Sequence, residues 1–162
     1  MSRVMISYFS LTGNTGRLAR LIGDFLREEK GFLVDYYKLP EESAVGSFFR
    51  NALNALFQKR VHLKEVPDLS PYPLLFLGTP VWSFNITPAM RTLLESVSLR
   101  GKKVFLFTTY GSGAGKEKAM RNFKRLVEKR GGEIIGTFGA QERDIPGHFQ
   151  RLKAILKATQ LF

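Results

Sequence analysis

Residues 10 to 15, Ser10, Leu11, Thr12, Gly13, Asn14 and Thr15, put three hydroxyls and a side-chain amide between an apolar run and a helical pattern. The first amides of a helix lack intrahelical acceptors, and the helix dipole is positive at that end. Gly13 lets the backbone approach a ligand closely or take a positive φ. Together these groups have the chemistry of an anion cradle, in which backbone and side-chain donors converge on a phosphate. It is not a P-loop, because G-x-x-x-x-G-K-[ST] is absent and no lysine sits in the turn. The simpler reading is a helix cap by Thr or Asn. A cap needs one such residue, and four polar side chains are present.

Two later stretches have a comparable character. Thr79, Pro80, Val81, Trp82, Ser83, Phe84 and Asn85 include the only tryptophan of the chain, whose ring could stack on a flat ligand or simply pack. Thr109, Tyr110, Gly111, Ser112, Gly113 and Gly115 offer a second aromatic wall at Tyr110. The glycines there permit either close main-chain approach or a flexible turn. His62 and His148, the only histidines, lack the spacing of a metal site. With no cysteine, disulfides, thiol nucleophiles and thiolate metal sites are excluded. Paired carboxylates such as Glu28 with Glu29 and Glu41 with Glu42 fall at helix ends or in loops, where solvation is the usual role. No Ser-His-Asp order stands out, and no catalytic side chain or metal ligand is expected.

The elements that would position these loops follow from hydrophobic period. An apolar run at 3 to 9 reads as a buried strand. Leu18, Leu21, Ile22, Phe25 and Leu26 fall at i, i+3, i+4, i+7 and i+8 of a helix, with Arg17, Arg20, Arg27 and Glu28 facing away and Gly31 ending it. Residues 32 to 39, 74 to 79, 102 to 109 and 132 to 140 read as further strands. Helical spacing covers 47 to 60, 88 to 97, about 115 to 130 and 147 to 159. Apolar strands separated by helical crossovers imply an α/β fold, a mainly parallel sheet covered on both faces. Such sheets bind ligands beyond the carboxyl ends of their strands, where the winding reverses. That directs attention to the loops after strands one, three and four.

At 162 residues, one domain spanning 1 to 162 is expected, with no internal repeat or linker. The 25 Lys and Arg against 14 Asp and Glu give a net charge of +11, which favours anionic partners. No apolar stretch is long enough to span a bilayer and no leader precedes the first strand, so a cytoplasmic protein is the expectation. Helix 47 to 60, with Phe48, Phe49, Phe57, Arg50, Lys59 and Arg60, could rest on a membrane or a partner, although a packed core helix is the stronger reading.

The motif S-L-T-G-N-T after a first strand resembles the phosphate loop of the flavodoxins. G-T-P-V-W at 78 to 82 with Pro88 opening the next helix, and F-T-T-Y-G-S-G-A-G-K at 107 to 116, resemble their third- and fourth-strand loops. V-G-S-F-F-R-N-A-L-N-A-L-F-Q-K-R at 45 to 60 resembles a helical stretch of small single-domain members. The resemblance implies a three-layer, doubly wound sandwich with a five-stranded parallel sheet of order 2-1-3-4-5. It also implies FMN as cofactor, its phosphate at residues 10 to 15, its ring near 79 to 85 and 109 to 115, and flavin N5 as the reacting centre. The residues suit such a ligand, since a phosphate monoester and a flat amphipathic ring need an anion cradle, aromatic walls and amides.

Two departures bear on mechanism. Electron-transferring flavodoxins are typically acidic around the flavin, whereas residues 79 to 94 hold no Asp or Glu and the fourth loop presents Lys116 before Glu117. One charge about 6 Å from the ring is worth about 2 to 3 kcal/mol at an effective dielectric near 20. That corresponds to a potential shift on the order of 100 mV, so a less negative hydroquinone couple is expected. Flavodoxins also commonly place a glycine beside the flavin, where a peptide flips to stabilise the one-electron-reduced state. None occurs from 80 to 88, and positive φ costs more at Ser83, Phe84 or Asn85. Two-electron chemistry is therefore expected.

The leading expectation is a flavodoxin-like redox protein passing electrons from a reduced donor to an acidic acceptor protein or a quinone. A second is an FMN-dependent NAD(P)H:quinone or flavin reductase. A third, of another class, is a basic nucleic-acid- or anion-binding module on the same shell. The scattered Lys and Arg and the lack of a recognised module argue against nucleic acid. A phospho-acceptor regulator would need acidic strand ends, and the first and third strands end in Phe-Ser and Gly-Thr.

Overall fold

A computed structural model describes residues 1–40, 63 and 65–161. The helix expected at 47 to 60, together with His62, lies outside the described residues. The five strands are β1 (Arg3–Tyr8), β2 (Leu33–Lys38), β3 (Leu74–Pro80), β4 (Lys103–Tyr110) and β5 (Glu133–Gln141). Between and after them run helices α1 (Asn14–Glu28), α2 (Pro88–Ser96), α3 (Lys116–Lys129) and α4 (Ile145–Ala158), with a 3-10 turn at Glu142–Asp144. The strands form one sheet of order β2-β1-β3-β4-β5, and every pairing is parallel. The expected architecture is the observed one.

Every residue of β3 is buried, as are all but the first of β1, which is why these strands read as continuous apolar runs. Successive side chains go to opposite faces. Val4, Ile6, Phe76, Phe105 and Phe107 join Leu18, Ile22 and Phe25 of α1 and Phe149 and Leu152 of α4 in one core. Met5, Leu75, Leu77, Val104 and Leu106 join Met90, Leu93 and Leu94 of α2 and Phe123 and Val127 of α3 in the other. Each core side chain of this size contributes about 1.5–3 kcal/mol of burial, so the sheet is held from both sides.

Helix boundaries follow local chemistry. Thr87 caps α2, its Oγ1 accepting the Met90 amide at 3.4 Å, and Pro88 takes the first position, where a missing amide costs nothing. Asp144 caps α4 by accepting the Gly147 amide. At the end of α1 the Gly31 amide returns to the Arg27 carbonyl at 3.2 Å. Winding reverses between β1 and β3, because β1 has β2 on one side and β3 on the other. The crevice beyond their carboxyl ends is where this architecture binds ligands.

Candidate functional site

The loop 10 to 15 leaves β1 at this crevice and opens α1. The helix starts from Gly13, whose φ of 94 suits glycine and whose α-carbon faces open space, with nothing within 4 Å of an added Cβ. No side chain caps α1 at that position, so the capping role open to Thr and Asn is not taken up there. The amides of residues 11 to 15 have no acceptor among the described residues. Five backbone donors thus stand free at a positive helix end.

The hydroxyls are held by their oxygens. Ser10 Oγ accepts the Gly16 amide at 3.1 Å, and Thr15 Oγ1 lies 2.7 Å from Thr109 Oγ1 in a buried pair. A hydroxyl carries one proton and two lone pairs. Ser10 therefore keeps its proton for another acceptor, and Thr15 keeps its own when Thr109 is the donor. Thr12 and Gly13 are exposed, and Asn14 reaches back to Thr12 Oγ1 at 3.3 Å. The loop thus combines free backbone amides and an exposed tip at Thr12 and Gly13 with the buried hydroxyls of Ser10 and Thr15, an arrangement that suits a phosphate.

Beside it lies a cleft of about 310 Å³ lined by Leu11, Thr12, Thr15, Pro80, Val81, Trp82, Gly111 and Glu142. All three expected loops contribute to it. Trp82 meets it as a wall fixed from behind, buried and edge-on to Phe9 with ring centroids 5.2 Å apart and planes at 83°. Val81 is fixed by its amide bond to the Thr109 carbonyl at 2.8 Å. Thr79 lies beneath the loop rather than in the cleft. It is fully buried, donates to the Pro80 carbonyl at 3.1 Å, and accepts the Thr87 amide at 3.2 Å. Its single proton being used, the 3.0 Å contact with Thr87 requires Thr87 to donate. These two threonines close the base of the 80 to 86 loop.

The tip of that loop is a two-residue hairpin turn. Trp82 and Asn85 exchange both backbone hydrogen bonds at 2.9 Å, with Ser83 at φ 46 and Phe84 at φ 65. Two positive φ values in sequence describe a type I′ turn, which usually takes Asn and Gly. Positive φ, expected to be costly in this glycine-free loop, is nonetheless adopted at Ser83 and Phe84, and not at Asn85. The Phe84 ring lies over Gly115, where an added Cβ would come within 2.1 Å of it. Asn85 is buried and accepts the Ile86 amide and the Asn122 side chain.

The 109 to 115 loop divides between two clefts. Gly111 reaches the first, held by the Gln141 side chain on its carbonyl at 3.1 Å. The Tyr110 ring lies instead against the start of α3, beneath Lys116 Nζ at 4.7 Å. There it lines a separate cleft of about 260 Å³ with Thr108, Met120, Thr137 and Gly139. Tyr110 and Trp82 therefore do not face each other across one cleft. Ser112 is exposed and accepts the Ala114 amide, and Gly113 and Gly115 take φ of 87 and 76 on the way into α3.

Glu142 was not among the expected site residues. It comes from the turn after β5, and it gives the cleft an acidic residue that 79 to 94 lack. The signal available was position: β5 ends at the same edge of the sheet as the other three loops.

A sequence profile of flavodoxin matches residues 53–135, just over half of the chain. The chain belongs to the flavodoxin family. The matched span takes in the 79 to 85 and 109 to 115 loops of this family member but not residues 10 to 15. Among solved structures, a candidate flavoprotein from Bacteroides uniformis shares 20% identity over 92% of this chain and 98% of its own, with a TM-score of 0.73. Another from Bacteroides eggerthii shares 21% over 95% and 99%, with a TM-score of 0.70. A flavoprotein from Lactobacillus acidophilus, solved in complex with FMN, shares 22% over 92% and 99%, with a TM-score of 0.66. At these identities the likeness is one of fold.

Among the described residues no helix is long and apolar enough to cross a membrane.

Proposed function

We propose that this flavodoxin-family protein binds FMN and passes electrons between a reduced donor and an acidic protein or quinone acceptor. The observation that carries the reading is the run of free amides at residues 11 to 15, at the positive end of α1 and beside the Trp82 cleft. The amides, with Ser10, Thr12, Asn14 and Thr15, would hold the phosphate. Trp82 would face the ring, and the main chain at Gly111 would meet its polar edge. When bound, FMN supplies the redox chemistry through its N5. The protein's part is to hold, orient and shield the ring, since no acid or base among the expected residues is needed.

The flavoprotein from Lactobacillus acidophilus, solved with FMN, supports the choice of cofactor. The basic net charge supports an acceptor of opposite sign. Titration of apoprotein with FMN and with riboflavin, followed by flavin fluorescence, tests the reading. Saturable quenching by FMN, and much weaker quenching by riboflavin, is the expected result. Equal affinity for both would remove the phosphate role of residues 10 to 15, and binding of neither would remove the cofactor.

A further inference from the structure

Charge is not spread evenly over the helices. Between its first and last residues α3 carries Lys116, Lys118, Arg121, Lys124, Arg125 and Lys129 against Glu117 and Glu128. Helix α1 has three basic residues against two acidic ones, and α2 has one of each. The basic residues of α4 include Lys153 and Lys157, both already bound to Glu29. Helix α3 is thus the main unneutralised positive element among the described helices.

At 100° per residue Lys118, Arg121, Arg125 and Lys129 fall within a narrow arc, opposite the buried Ala119, Phe123, Leu126 and Val127. All four are exposed, and none makes an ion pair among the described residues. They form a stripe about 16 Å long. It begins one turn beyond Gly115, where the 109 to 115 loop enters the helix.

We infer that this stripe on α3 is the docking surface for an acidic electron-transfer protein, whose carboxylates would pair with Lys118, Arg121, Arg125 and Lys129. The inference rests on the redox reading above for the partner's class. The geometry favours a protein over the other polyanions. Glu117 and Glu128 flank the stripe on one side, which opposes a continuous phosphate backbone, and no aromatic side chain interleaves with the cations to stack on bases. The exposed face also has no apolar residue to enter a bilayer, because the apolar side of α3 is spent on the core. A discrete acidic patch fits a discrete basic one, giving fast, salt-sensitive association beside the crevice where electrons would leave.

The test titrates ¹⁵N-labelled protein with an acidic [2Fe–2S] ferredoxin as probe, without flavin, at low and moderate salt. Expected are amide shifts concentrated in residues 116 to 130 and affinity falling about tenfold between ~50 and ~300 mM salt. The triple variant Lys118→Gln, Arg121→Gln, Arg125→Gln should lose about tenfold or more in affinity at low salt. A control triple of equal charge change, Lys30→Gln, Arg100→Gln, Arg151→Gln, should lose far less. Equal losses in the two triples, shifts centred elsewhere, or no binding at low salt would overturn the inference. Tighter binding of duplex RNA or of phosphatidylserine vesicles to the same face would show that the partner class is wrong. FMN affinity of the α3 triple should equal that of the unsubstituted protein. If neither binds FMN while the ferredoxin still docks on α3, the cofactor reading fails and the surface stands.

Discussion

Thr15 Oγ1 and Thr109 Oγ1 meet at 2.7 Å in the interior, joining the first turn of α1 to the end of β4. The bond ties the free-amide loop to the sheet that carries the other two loops. Thr15→Val alone leaves the Thr109 hydroxyl buried without its partner, at a cost of about 1–3 kcal/mol. Thr15→Val with Thr109→Val should cost less than the sum of the single changes, because neither hydroxyl is then orphaned. Urea unfolding of the four proteins at constant slope measures the coupling. Additive losses would show that the two hydroxyls do not depend on each other.

Phe84 and Gly115 form the second junction between loops. Gly115 has a φ of 76, and an added Cβ would stand 2.1 Å from a Phe84 ring atom and 2.8 Å from the Phe84 α-carbon. Gly115→Ala is expected to cost about 2–3 kcal/mol, combining left-handed strain with a clash that includes backbone. Adding Phe84→Ala should recover only part of this, since the φ and the α-carbon contact remain. Full recovery in the double variant would place the whole cost in the ring.

The layers of the fold were legible because β1 and β3 are buried on both faces and α1, α3 and α4 carry one apolar stripe each. Those patterns are local, and their boundaries agree with the structure to within a residue or two. The direction of Tyr110 was not legible. In a strand buried on both faces, alternation does not say which side a given residue takes, and Thr109 rather than Tyr110 turns towards α1. Phe84 carries no turn signal of its own, and Ser83 only a weak one that does not favour positive φ. Their positive φ is imposed by the Trp82–Asn85 hairpin and by the Phe84 ring resting on Gly115, contacts that local sequence does not encode. The anion loop was legible as chemistry, but the internal use of the Ser10 and Thr15 oxygens needed the fold.

Asp35 has one carboxylate oxygen bonded by Arg3 Nη2 at 2.8 Å and by the Tyr72 hydroxyl at 2.9 Å. The Arg3 bond first, and the Tyr72 bond second, hold its carboxyl below the usual aspartate range. A carboxyl that binds its proton less readily when folded stabilises the fold above its unfolded pKa. That contribution is lost as pH falls through the folded value. The thermal midpoint of Asp35→Asn should therefore vary less between neutral and strongly acidic pH than that of the unsubstituted protein. The difference should be small, because Arg3 and Asp35 are solvent-exposed. A steeper acid loss in the variant would reverse the assignment.

Glu142 lines the same cleft as Thr12 and Thr15, which puts an acidic residue beside the donors expected to hold a phosphate. A like charge across a solvated cleft opposes an anionic ligand by about 0.5–1 kcal/mol at water-like dielectric. Glu142→Gln is therefore expected to bind FMN about two- to fivefold more tightly at low salt. Riboflavin has no phosphate, so its affinity should not change. The FMN gain should shrink as salt rises, because screening weakens a repulsion across water but not a lost hydrogen bond. Weaker FMN binding in the variant would mean that Glu142 supplies a bond to the ligand instead of a repulsion. An equal gain for riboflavin would place the effect on the ring, away from the phosphate loop.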